Sequence, residues 1–269
     1  MKSHPRLKKY YLWGSRHPVL FFLLFGGILC TLYTLFLYLL DAPTWLIITV
    51  NICILISALL HPATCNNKLI IITNQDLVEN CDPYPLMEEI DRQLAANKSK
   101  QYEQLLLINK CVSWLYAGEY QKVFDTLNGI NIDQFAGTPP HQKLSYYNNL
   151  NDICTKLGYL EHADAWYQKQ LQIYATIKSK ALQKMFAYTM DSAKAMALYR
   201  KQEYTMAINA FSALPFKNRL QRIETSMFIA KCHLALNQKE EARRALCYIT
   251  ANGNKLALVE EAKTLLEQL

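Results

Sequence analysis

"KLGYLEHADAWYQKQL", residues 156–171, gathers Glu161, His162, Asp164, Trp166 and Tyr167 in one short stretch. An acid, a base and aromatics so close together suit either a reaction centre or a turn between two helices, and the spacing decides. Leu157 and Gly158 end one apolar-periodic segment and Leu160 opens another. Glycine is favoured there because a helix C-cap often takes a left-handed backbone. On this reading Glu161 and His162 lie on the first exposed turn of the second helix, and Asp164 faces solvent. Trp166 and Tyr167 pack within or between helix pairs. Ala163 is the informative residue, because only a small side chain fits where two helices press together.

The same pattern returns along the chain. It reads "LLLINKCVSWLYAGEYQKVFDTLNGI", then "YYNNLNDICTKLGYLEHADAWYQKQL", then "MDSAKAMALYRKQEYTMAINAFSALP", and last "SMFIAKCHLALNQKEEARRALCYI". Gly118, Gly158, Gln202 and Asn237 hold the turn, at separations of 40, 44 and 35 residues. Tyr120, Leu160, Tyr204 and Lys239 follow. The tight-contact place holds Val123, Ala163, Ala207 and Ala242, and a large residue comes next at Leu127, Tyr167, Phe211 and Leu246. Leu107, Tyr147 and Leu150 fill apolar places of the first helices.

These residues resemble the tetratricopeptide repeat (TPR), a unit of two antiparallel helices, over roughly residues 104–250. Val123 stands where alanine is usual and Lys239 where an aromatic is usual, and connectors such as "NIDQFAGTPPHQ" stretch the spacing. The resemblance implies an all-α domain over residues 84–269, a TPR-like α-solenoid of about four helix-turn-helix repeats. "YPLMEEIDRQLAAN" begins or caps it, and "NKLALVEEAKTLLEQL" is the solvating C-terminal helix such arrays require. It also implies that function lies on a concave face made by the first helix of each repeat. That face would present Ile108, Val112, Leu115 and Tyr116, then Asn148, Asp152 and Thr155. The third repeat adds Ser192, Met196, Tyr199 and Arg200, and the fourth adds Met227, Lys231 and Leu234. Some TPR domains grip a peptide's C-terminal carboxylate with a paired Lys and Asn. Here Asp152 stands where an amide is expected, and no lysine sits one turn before it. The expected ligand is a helix or an extended peptide.

The N-terminal part is of another kind. Residues 1–17 form a basic tip with Lys2, Arg6, Lys8, Lys9 and Arg16 and no acid, which accounts for most of the net charge of +7. Residues 19–40 are uncharged and long enough, at roughly 33 Å as a helix, to cross a bilayer core. Asp41, Ala42 and Pro43 separate them from a second apolar run at 44–60, with Asn51 in its middle needing a partner from the first helix. Trp13, Tyr38 and Trp45 stand where interfacial aromatics are common. Residues 18–60 therefore predict a two-helix transmembrane hairpin in contact with the lipid bilayer. No small-x-small cleavage site follows, so a signal peptide fits poorly. The positive-inside rule places the basic tip, and after two crossings the repeats, in the cytoplasm. Residues 61–83 read as a linker in which "LIIIT" is either a strand or a short buried helix.

Chemistry-bearing motifs are scarce. With the basicity confined to the tip, no nucleic-acid partner is expected. No Gly-rich phosphate loop and no metal-ligand spacing occur, and no Cys-x-x-Cys joins any of the eight cysteines, which read as free thiols in a reducing compartment. Cys232 and His233 are helix neighbours pointing about 100° apart. Cys154 and His162 fall on different helices of one hairpin. Glu88, Glu89 and Asp91, and Glu240 with Glu241, suit helix N-termini better than acid–base catalysis. Asn97-Lys98-Ser99 is a glycosylation sequon, which matters only in a secretory lumen. No catalytic, cofactor or metal site is expected. The chain resembles a membrane-anchored bacterial TPR-like protein, a non-catalytic scaffold for a protein or peptide partner at the cytoplasmic membrane face. A peptide-sensing regulator and an assembly factor for a membrane complex are the alternatives.

Overall fold

The computed structural model describes residues 5–96, 99–135 and 137–269, all of whose regular elements are helical. It divides into two units, Met1–Gln75 and Asp76–Leu269. Asn97 and Lys98 of the glycosylation sequon lie outside the described residues.

The first unit contains α1 (Pro5–Arg16), α2 (Pro18–Leu39) and the greater part of α3 (Thr44–Asn80). His17 leaves the helical region, and Pro18 restarts the helix at its first position, where a missing N–H costs nothing. Trp13 therefore sits on a helix of its own, 6.1 Å from the ring of Phe21 and 6.3 Å from that of Phe25. Both α2 and α3 are long and apolar enough to cross a membrane. Their apolar side chains point outward: only 11% and 6% of the most apolar stretches are buried, unlike the core helix of a water-soluble protein. Between them the amide of Asn51 donates to the Thr34 hydroxyl at 2.8 Å. Gly26 lets α2 approach α3 so closely that a side-chain carbon there would stand 3.1 Å from Ala58 Cβ.

Residues 61–80, read from sequence as a linker, instead continue α3 through Pro62 to Asn80, and "LIIIT" is helical throughout. Proline removes one hydrogen-bond donor, but the helix carries on because a stripe of small and apolar residues recurs every four positions. Cys65, Leu69, Thr73 and Leu77 are each at most 1% exposed, and the Thr73 hydroxyl bonds back to the Leu69 carbonyl at 2.8 Å.

The second unit opens with α4 (Tyr84–Ala96) and continues as helix pairs. These are α5 (Lys100–Ala117) with α6 (Tyr120–Asn128), and α7 (Pro140–Leu157) with α8 (Leu160–Thr176). Next come α9 (Lys180–Arg200) with α10 (Tyr204–Ser212), and α11 (Arg219–Ala235) with α12 (Lys239–Asn252). Each pair turns on a left-handed residue: φ is 87° at Gly118, 77° at Gly158, 62° at Gln202 and 56° at Asn237. Val123, Ala163, Ala207 and Ala242 have no exposed surface. Each helix packs on the next, and α5, α7, α9 and α11 also touch in sequence. The longer connector after α6 is anchored, since Tyr146 donates its hydroxyl to the carbonyls of Leu127 and Ile130 at 2.8 and 2.6 Å.

The last helix, α13 (Ala257–Glu267), departs from the expected solvating cap. It buries Leu258, Val259 and Ala262 and packs not only on α11 and α12 but also on α5, the first helix of the first pair. The chain just before it is tied to the start of the unit. Lys255 N–H donates to the Cys81 carbonyl at 3.3 Å, Asn254 donates to the Asn80 carbonyl at 2.8 Å, and Lys255 pairs with Asp82 at 2.6 Å. The row of helix pairs thus closes on itself, and its apolar C-terminal face is covered by its own beginning.

Candidate functional site

Closure turns the face of the first helices into a groove with two adjoining cavities, of about 90 Å³ and about 430 Å³. The smaller one is reached by Val112, Leu115 and Tyr116 of α5, by Asn148 and Asp152 of α7, and by Ser192 and Met196 of α9. Glu224, Thr225 and Phe228 of α11 complete it, with Tyr188 of α9. The larger one takes Thr155 of α7, Tyr199 and Arg200 of α9, and Met227 and Lys231 of α11. Lys156, Tyr120 and Glu261 of α13 line it as well. Glu224 and Phe228 border both cavities.

Twelve of the residues expected on the concave face therefore meet in this groove. Ile108 does not: it is 7% exposed and belongs to the core formed with Cys111, Leu150 and Ile153. Leu234 lies on α11, outside both linings. Arg200 reaches the groove, but its guanidinium is already engaged. It donates to Asn151 at 3.1 Å, to Thr155 at 3.0 Å and to Asp164 at 2.9 Å, joining α9 to α7 and α8. Asp164 is accordingly an ion-pair partner rather than a purely solvated acid, and Arg200 and Thr155 hold helices together.

The electrostatics join Asp152 and Lys231 of the expected set to three charges absent from it, Lys156, Glu224 and Glu261. Asp152 is 8% exposed and meets Lys156 at 3.8 Å, while Lys231 pairs with Glu261 at 2.6 Å between α11 and α13. Tyr116 directs its hydroxyl at Glu224. Burial, then the nearby Asp152 charge, pushes the Glu224 carboxyl up to about 7, against the opposing pull of Lys156 and of the Tyr116 hydroxyl. Burial likewise raises Asp152, with Lys156 and Lys231 opposing. Burial works to lower Lys156, but Asp152 and Glu224, with Tyr120 and Glu261, outweigh it and hold the ammonium charged. Tyr116 is held far above the ordinary phenol range by burial and by the same two carboxylates.

The remaining candidate groups lie apart. Cys154 is buried on α7, and burial pushes its thiol up to about 11, the reverse of what activates a nucleophilic cysteine. Cys111 reaches about 12 and Cys232 about 11 by the same cause. Glu89 is buried and engaged with Arg92 at 2.6 Å and Gln93 at 2.7 Å on α4. Among the described residues, no three His, Cys, Asp or Glu side chains converge as metal ligands.

Glu224 and Tyr188 were legible in principle. Both occupy first helices, one or two turns before the apolar pattern that marks each repeat. Glu261 had no such signal, because it enters the groove only through the folding back of α13. No protein family, curated protein or solved structure matches this chain.

Proposed function

We propose that this chain is a membrane-tethered, TPR-like helical-repeat protein. Residues 18–60 cross the bilayer as a hairpin, and the repeats bind a peptide segment of a protein partner at the cytoplasmic face without catalysis. One observation carries the reading: side chains from α5, α7, α9, α11 and α13 line one groove that is concave, part aromatic and part charged. A groove with an apolar wall and a few convergent polar groups is what orients an extended or helical ligand. The left-handed turns and the fully buried small residues behind them support the TPR resemblance. The tether supports a scaffold role by confining the groove to the plane of the membrane, which raises its effective concentration toward membrane-bound partners. The basic tip supports cytoplasmic placement.

The test is co-purification from detergent-solubilised membranes of the native host. Ser192 is half-buried at the groove wall, so Ser192→Trp fills the smaller cavity. Wild-type protein is expected to carry a partner that Ser192→Trp loses while keeping its helical circular dichroism. An unchanged set of bound proteins with the groove blocked would reject the proposal.

A further inference from the structure

We infer that the pocket between Asp152 and Glu224 receives a cation, the ammonium or guanidinium of a lysine or arginine side chain on the bound segment. This rests on the groove being the binding surface, as proposed above. The smaller cavity holds both carboxylates, and among its described lining residues there is no lysine or arginine. Asp152 is 8% exposed, and among the described residues its carboxylate has an ion pair with Lys156 but no side-chain hydrogen bond. Its ion-pair partner Lys156 stops at 3.8 Å, and Lys231, the other cation acting on it, is held by Glu261; both line the larger cavity, not this one. A buried carboxylate aimed into a cavity with so loose a partner is held at a cost that a tighter one offsets. The rest of the wall suits such an occupant. Asn148, whose oxygen also accepts from Gln170 at 3.3 Å, and Ser192 bring oxygen acceptors to the wall, and the rings of Tyr116 and Tyr188 line it beside Phe228, which is stacked on Phe211. An anionic group would instead meet two like charges.

The same geometry couples binding to pH. Around Glu224 stand Tyr116 from α5, Tyr120 from α6, and Asp152 and Lys156 from α7. Tyr188 and Tyr199 come from α9, Lys231 from α11 and Glu261 from α13. The tyrosines are raised by burial, away from neutrality, and Lys156 is held charged. Glu224, near 7, loses its proton across the neutral range, and its charged form is the one that pairs with a cation. Affinity therefore rises between pH 6 and pH 8, by at most roughly tenfold if Glu224 alone titrates.

The experiment is selection of a displayed random-peptide library on the full-length protein in detergent micelles, at high ionic strength. Fluorescence anisotropy of the selected peptides follows. Expected are peptides sharing one lysine or arginine, whose replacement by norleucine weakens binding at least tenfold while leaving the protein untouched. Asp152→Asn with Glu224→Gln is expected to abolish the enrichment, and Glu224→Gln alone to flatten the pH dependence. Peptides that bind without a shared cation, or through an acidic residue or free carboxylate, would overturn the cation pocket and leave the groove reading standing. Failure to enrich any peptide would overturn both.

Discussion

Glu224 carries the clearest pH signature of any residue in the groove. Its carboxyl is raised from an ordinary 4.5 to about 7, so the folded protein holds a proton there that the unfolded chain gives up earlier. Stability from this group is present below the unfolded value and declines as pH rises from about 4.5 through 7. Glu224→Gln, which mimics the protonated form, is expected to melt higher than wild type at pH 8, by about 1–3 kcal/mol, and level with it at pH 5. Thermal melts of the detergent-solubilised protein at both pH values check this; equal shifts at both would refute it. Ala163 sets the opposite kind of constraint. It has no exposed surface, so Ala163→Glu places a charge in a helix contact and is expected to cost more than about 3 kcal/mol. Loss of helical circular dichroism at room temperature is the readout. At this scale the sequence was informative wherever a position repeats: Tyr116, Asp152 and Ser192 were visible because the first helices share a spacing. Lys156 was not, because a lysine in the last turn of a helix suits the dipole and asks for no other explanation.

Elements were legible in proportion to how local their causes are. The helix pairs announce themselves through turn residues and small contacts a few positions apart, and α6, α8, α10 and α12 begin at Tyr120, Leu160, Tyr204 and Lys239, where the pattern places them. The course of α3 past Leu60, where the sequence reads as a linker, rests on a four-residue stripe that runs from Cys65 to Leu77. The closure by α13 has no local cause, since its contact with α5 joins segments at opposite ends of the unit. That contact gives a paired prediction. Gly118 and Gly158 both hold positive φ, so an alanine at either costs about 1 kcal/mol in backbone strain. At Gly118 the new Cβ would also stand 2.8 Å from Ala257 Cβ, whereas at Gly158 nothing lies within 4 Å. Hydrogen exchange is therefore expected to speed up in α13 for Gly118→Ala and to stay unchanged there for Gly158→Ala. Equal exchange in the two variants would contradict the closure.

For the whole molecule, the composition shift at residue 60 separates an apolar hairpin from an amphipathic array, and the exposed apolar surface of α2 and α3 agrees with that separation. The proposed topology predicts which thiols a membrane-impermeant reagent can reach. Cys65 and Cys81 are buried and report nothing, but Cys247 is exposed on α12. In intact cells Cys247 is expected to resist labelling and to react after permeabilisation. Labelling of intact cells would place the repeats on the other side. The central claim is that the groove of first helices receives a segment of another protein. A photo-crosslinking amino acid at Asn149, half-buried at the groove wall, tests it in living cells against the same probe at Thr205, exposed at the start of α10. A discrete crosslinked protein from position 149 and none from 205 is the predicted result; no adduct at 149, or the same adducts from both positions, would contradict it.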